Sequence, residues 1–277
     1  MSLMKESLNS QAVTCIADAF LAIEPEFDHQ GFCQTCVKGL AALELKQRVQ
    51  HIIDVLHQYL PADFTHTAVL FTALADQHAK VDVSYPLSGF TAWPVIDYIS
   101  VHGLQHPELA LDLLKRLTHL FSAEFAIRPF ILQYPELTYS QFHLWLTHNS
   151  EHVRRLVSEG SRPRLPWGMQ LKPLMVNPDL NIVLLNKLKQ DPSLYVRRSV
   201  ANHLNDISKD HPLKLIGLCQ NWYSQADDKL LWVIRHATRS LVKAGHPKVF
   251  PLLGYTANVR LSPAILTLES AHLALGQ

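Results

Sequence analysis

Glu124 and Glu159 each stand among arginines. Glu124 opens EFAIRPF one turn before Arg128, and Glu159 follows Arg155 by four residues in SEHVRRLVSEGSRPRLPWGM (150–169). Arg154, Arg155, Arg162, Arg164 and Trp167 share that second stretch. One use for the carboxylates is an ordinary i,i+4 ion pair with Arg128 or Arg155. The other is a positive charge that develops on a bound molecule. A carboxylate ~4 Å from a unit charge, at an effective dielectric of ~20, contributes ~4 kcal/mol. That is about three powers of ten in rate if the charge exists only in the transition state. The same carboxylate could hold water as a nucleophile, and an exposed Trp face nearby would attract a cationic ring by ~0.5–2 kcal/mol. The residue types leave both uses open. Pro129 removes the N–H that would bond the Phe125 carbonyl, so a helix here is expected to kink at Glu124–Phe125.

The elements that must position these groups read as helices. ELKQRVQHIIDVLHQYL, PELALDLLKRLTHLF and PDLNIVLLNKLKQ carry apolar residues at helical spacing, whereas strand patterning is almost absent before residue 250. Prolines expected to open helices fall at Pro107, Pro135, Pro178, Pro212 and Pro247, and the related helices HVRRLVSEG, YVRRSVANHL and WVIRHATRSL precede three of them. Two helices per unit, with a period of roughly 35–45 residues, predict an all-α, HEAT-like superhelix of antiparallel helix pairs. One unit is longer than its neighbours, and its excess lies in SRPRLPWGM (161–169). An Arg-, Pro- and Trp-rich insertion on a rigid scaffold reads as a functional loop. The helical domain is expected over 1–254. Residues 255–277 read as a non-helical tail with strand-like alternation, the start of something β.

Charge divides along the chain. Residues 1–150 hold 8 Lys and Arg against 15 Asp and Glu, and residues 151–277 hold 17 against 9, so a net +1 conceals −7 and +8. At the helical repeat, Val196, Val200, Leu204 and Ile207 fall within about 80° of arc, and Arg198, Asn202, Asn205 and Lys209 within about 60° on the opposite side. Arg197 and Asp206 fall on the flanks. The same construction places Arg155 and Glu159 on the polar side of the preceding unit, with Val153 and Val157 buried. In the last unit Leu231, Ile234, Thr238 and Leu241 turn inward, while Trp232, Arg235, His236, Arg239 and Lys243 turn outward. Stacked repeats would join these faces into one basic track suited to phosphate oxygens. Neutralising six phosphates would weaken binding by ~10³ between 50 and 200 mM salt. On nucleic acid, the charge that Glu124 and Glu159 could answer is C1′ of a sugar as its N-glycosidic bond breaks.

Composition removes other classes. The chain has 277 residues, 48% hydrophobic and 18% charged, and no apolar run approaches the ~18 residues that span a membrane. Four cysteines make no disulfide framework, so a reducing cytoplasm is the expected compartment. Cys33-Gln-Thr-Cys36 lacks a second pair and reads as a structural pair within a helix. No HExxH, paired CxxC or GxxxxGK[ST] motif calls for a metal or a nucleotide, so no cofactor is expected.

EFAIRPF, SEHVRRLVSEGSRPRLPWG, VRRSVANHLNDISKDHP and RHATRSLVKAGHP together resemble the alkylpurine DNA glycosylases built from HEAT-like repeats, in their AlkC branch. The likeness runs from Glu24 to Tyr255. It implies a monofunctional, monomeric enzyme acting on double-stranded DNA that carries cationic N3-alkylated bases, 3-methyladenine above all and 3-methylcytosine next. It also implies a grip on the DNA backbone by a concave face, without deep base flipping. By matching motifs, Glu124 and Glu159 would be the catalytic carboxylates, with Phe125 and Trp167 beside the lesion. Arg155, Arg162, Arg164, Arg198, Asn202, Lys209, Arg235, Arg239 and Lys243 would hold the backbone. Many members continue into an immunoglobulin-like β domain, of which only the first strands are expected here before Gln277.

Overall fold

The computed structural model describes residues 4–78 and 87–255, and among them every regular element is a helix. The first group of helices comprises α1 (Ser10–Leu21), α2 (His29–Val37), α3 (Leu45–Tyr59), α4 (Phe64–His78), α5 (Trp93–His102) and α6 (Pro107–Leu117). The middle group comprises α7 (Arg128–Gln133), α8 (Pro135–Trp145), α9 (Glu151–Gly160), α10 (Lys172–Val176) and α11 (Asp179–Leu188). The last comprises α12 (Leu194–Asp210), α13 (Pro212–Tyr223), α14 (Asp228–Ala237), α15 (Arg239–Lys243) and α16 (Val249–Leu252). Helices contact their sequence neighbours and the next pair along: α3 packs on α5, α4 on α6, α8 on α9, and α12 lies between α9 and α14. This is the solenoid that the repeat period predicts.

Local chemistry sets the boundaries. Pro107, Pro135 and Pro212 occupy the first helical turn, where a missing N–H has no partner to lose. Asn9 and Asp227 accept from backbone N–H groups three residues on. Two prolines behave differently from expectation. Pro129 lies in the first turn of α7, so it starts a helix instead of kinking one. Glu124 and Phe125 belong to the turns before it. Pro247 stands in the turn ahead of α16 and opens no helix.

The core is a continuous apolar cluster running through the stack, and the expected inner stripes of α9 and α12 lie in it. Outer faces are less simple. Arg197, Asn205 and Asp206, expected at the flank or outside, are buried. α12 has neighbours on more than one side, and Asn205 Oδ1 accepts from Ser240 N of α15 at 3.3 Å. Leu231 is half-buried instead of inward, and Trp232 packs against the core with its ring stacked on His236 at 5.0 Å. Cys33 and Cys36 both lie in α2, and burial pushes the Cys36 thiol up to about 12. Beyond Tyr255, the tail and the strands expected there lie outside the described residues. No helix among the described residues is long and apolar enough to cross a membrane.

Candidate active site

The site is built around the end of α9. Val153, Leu156 and Val157 are buried by the helical stripe, and Ser158, Glu159 and Gly160 are buried because the last turn drives into the protein. Gly160 permits that approach, since a Cβ there would stand 2.6 Å from Ile127 Cγ2. Residues 161–171 then form the expected loop before α10. The fully buried Arg128 fastens both of its ends, donating from Nη1 to Gly160 O at 2.8 Å and from Nε to Met169 O at 2.6 Å. Burial, then the charge of Arg162, lowers its pKa to about 10. At the loop's tip Trp167 adopts φ +64°, a left-handed conformation costing roughly 1–2 kcal/mol for a residue with a Cβ. Lys46 Nζ donates to its carbonyl and helps to hold it. The indole is 54% exposed, an unusual placement for so large an apolar ring.

Glu124 and Glu159 come together here. Ser122 Oγ and Arg155 Nη1 donate to Glu124 Oε2 at 2.7 and 2.9 Å. Arg155 Nη2 stands 3.7 Å from Glu159 Oε1, so one guanidinium spans both carboxylates. Arg162 Nη1 donates to Glu159 Oε1 at 2.6 Å and its Nε to Asp206 Oδ2 at 2.8 Å. Ser199 Oγ donates to Glu159 Oε2 at 2.5 Å. Tyr195 presents its ring to Arg155 at 4.5 Å.

Glu124, Glu159 and Asp206 alternate with Arg155 and Arg162, Lys209 lies 3.1 Å from Asp206, and the buried Arg128 adds its charge to the surroundings of all three carboxylates. Each buried ion costs several kcal/mol of hydration, so apolar side chains in these places would be as stable or more so. Glu159 also lies in the C-terminal turn of a helix, where the macrodipole opposes a carboxylate. Stability does not explain this cluster. Burial pushes the Glu124 carboxyl above the ordinary range, opposed by the charge of Arg155. For Arg155 and Arg162, burial works downward, but the facing carboxylates more than offset it and both guanidiniums hold their protons more tightly. Glu124 and Glu159 line one cavity of about 300 Å³ together with Phe125, Arg162 and Trp167. Trp93 stacks on Phe125 at 5.2 Å to complete its aromatic wall.

No family model matches the chain. A solved structure of Pseudomonas fluorescens alkylpurine DNA glycosylase AlkC bound to DNA containing an abasic site analog is similar, with a TM-score of 0.83 and 39% sequence identity. The match covers 91% of this chain and 68% of that one. The chain belongs to the AlkC family. An uncharacterized Bacillus subtilis protein, YhaZ, is 34% identical over 278 residues, covering all of this chain and 75% of its own length. The all-helical solenoid is thus the AlkC fold.

Within this AlkC-family chain, the expected backbone-binding residues divide into two sets. Arg155 and Arg162 serve the carboxylate cluster, Arg164 pairs with Asp210 at 2.7 Å, and Lys209 pairs with Asp206. Arg239 donates to Asn202 Oδ1 at 3.0 Å, and His236 Nε2 lies 3.1 Å from the same oxygen. Arg198, Arg235 and Lys243 are exposed and form no ion pair among the described residues. Sequence reasoning passed over Ser122, Ser199 and Tyr195, and it left Asp206 on a flank. An acid on an otherwise basic helix was the available signal for Asp206; the other three carried none.

Proposed function

We propose that this chain is a monofunctional DNA glycosylase that hydrolyses the N-glycosidic bond of cationic N3-alkylated bases in double-stranded DNA, 3-methyladenine first and 3-methylcytosine second. It would act as a monomer in the cytoplasm, without a cofactor. The observation that carries the reading is the pairing of Glu124 and Glu159 across one guanidinium, in a cavity walled by Phe125 and Trp167. The related AlkC protein was captured on DNA holding an abasic-site analogue, the product side of such a reaction.

As the C1′–N bond breaks, its electron pair leaves with the base and neutralises the base's positive charge. C1′ becomes oxocarbenium-like. The carboxylates of Glu124 and Glu159, which line the cavity, stabilise that cation in a site of low dielectric. The two carboxylates then take different roles. Both hydrogen bonds to Glu124 land on Oε2, leaving Oε1 without a hydrogen bond among the described residues. Glu159 is engaged at both oxygens. Glu124 therefore receives and orients water, accepting its proton as the water oxygen bonds C1′, while Glu159 contributes charge alone. Trp167, on the rim, offers its face to the cationic base before departure. Of the expected backbone-binding cations, Arg198, Arg235 and Lys243 are those left without an ion pair among the described residues to meet phosphates.

The test is release of free base from methylated duplex DNA under single-turnover conditions. Purified protein is expected to release 3-methyladenine, and release of none would overturn the reading. A salt-dependent complex with DNA but no freed base would mark a binding protein instead.

A further inference from the structure

A second cavity, of about 250 Å³, shares Trp93, Phe125 and Trp167 with the catalytic one. Its acidic group is Asp97 on α5, and Lys46, Gln50 and Ser100 are its other polar side chains. Trp93 Nε1 donates to Asp97 Oδ2 at 2.7 Å, and Oδ1 takes no hydrogen bond from any described residue. The carboxylate is set in an apolar lining that includes Val49, Ile53 and Val101. None of the steps above uses it.

Three properties narrow what such a cavity takes. Rings on its wall favour a flat molecule. An open carboxylate oxygen favours an N–H donor. Lys46, the one cation in the lining, already donates to the Trp167 carbonyl, so a phosphate would meet a single, partly engaged cation. The volume lies below that of ordinary ligand sites, which start near ~300 Å³. That suits a single heterocycle better than a whole nucleotide. Through the shared rings the cavity adjoins the place where a base would be set free.

We propose that the Asp97 cavity is a binding site for the released base, a planar heterocycle whose exocyclic amino group donates to Asp97. The inference rests on the glycosylase reading for the origin of its ligand. Burial raises the Asp97 carboxyl to about 7, opposed first by the Trp93 hydrogen bond and then by Lys46, with Glu124 adding to the rise. A carboxyl so placed is stabilised in its ionised form by a donor that arrives from outside.

The experiment uses the full chain without DNA and titrates it calorimetrically with free 3-methyladenine and with adenine. One base per chain is expected to bind. Asp97→Asn, which keeps an acceptor for Trp93, is expected to weaken binding about tenfold or more by losing the charged acceptor. Val101→Trp, at an exposed helical position, is expected to do the same by filling the cavity. Glu124→Gln, which removes a charge that opposes ionisation of Asp97, is expected to keep or strengthen base binding. Absence of binding by either base would overturn the proposal, as would loss in Glu124→Gln with retention in Asp97→Asn. Because no DNA is present, failure here leaves the base-release result standing, and the two readings fail separately.

Discussion

At the scale of single residues, the proposed chemistry depends on Glu124 being ionised in surroundings that discourage it. Burial lifts its pKa, and Arg155 restrains the rise. The sign follows directly: as pH falls, Glu124 takes up its proton earlier than an ordinary carboxylate, and the protonated acid neither stabilises a cation nor accepts a proton from water. The single-turnover rate is therefore expected to decline on an acid limb above the usual carboxylate range, with Glu124→Gln abolishing that limb along with most of the rate. A limb unchanged in Glu124→Gln would assign it to another group. These acids were legible in the sequence because a carboxylate among arginines requires an explanation. Ser199 was not legible, since a serine within VRRSVANHL looks the same whether it meets solvent or Glu159 Oε2.

At the scale of elements, α9 and α12 are joined by a buried polar chain that backs the site. His203 Nδ1 faces Ser158 O at 2.9 Å, and Nε2 faces the Asn181 amide nitrogen at 3.0 Å, so the ring is neutral with its proton on Nδ1. Tyr139 completes the chain by donating to Asn181 Oδ1 at 2.6 Å. Burial, followed by the charge of Arg162, pushes the His203 pKa down to about 3. Unfolded, the ring would protonate near ~6.5. Its stabilisation is thus complete above that value and is lost as pH falls from there toward 3. Thermal unfolding from pH 7 down to pH 4.5 should show a declining Tm in the wild type and a flatter profile in His203→Asn. Parallel profiles would mean that the imidazole titrates elsewhere. A helical wheel found the buried stripes of α9 and α12 but missed Glu159, Asn205 and Asp206. The wheel resolves direction around an axis and assumes one neighbour. It contains neither how deeply a helix end penetrates nor that α12 is covered from both sides.

For the whole molecule, the contrast between −7 and +8 halves pointed to a polyanion, yet much of that positive charge is consumed internally. Arg154 meets Asp191 at 2.6 Å, Arg162 meets Asp206, Arg164 meets Asp210 and Lys214 meets Asp179. A charge tally weights every cation equally, whereas only the unpaired ones displace counterions from DNA without first losing a partner. The stack packs α12 between α9 and α14, the helices whose outer faces were expected to form the basic track. What lies within that stack is a pair of carboxylates facing one cavity, and the central claim is that their charge is matched to a sugar that turns cationic. Binding to duplexes containing either a protonated pyrrolidine or a neutral tetrahydrofuran at the abasic position tests that claim most directly. The wild type is expected to prefer the cationic duplex by on the order of a hundredfold, and the Glu124→Gln, Glu159→Gln double variant to lose most of that preference. Equal affinity for both duplexes, or a preference that survives removal of both carboxylates, would contradict it.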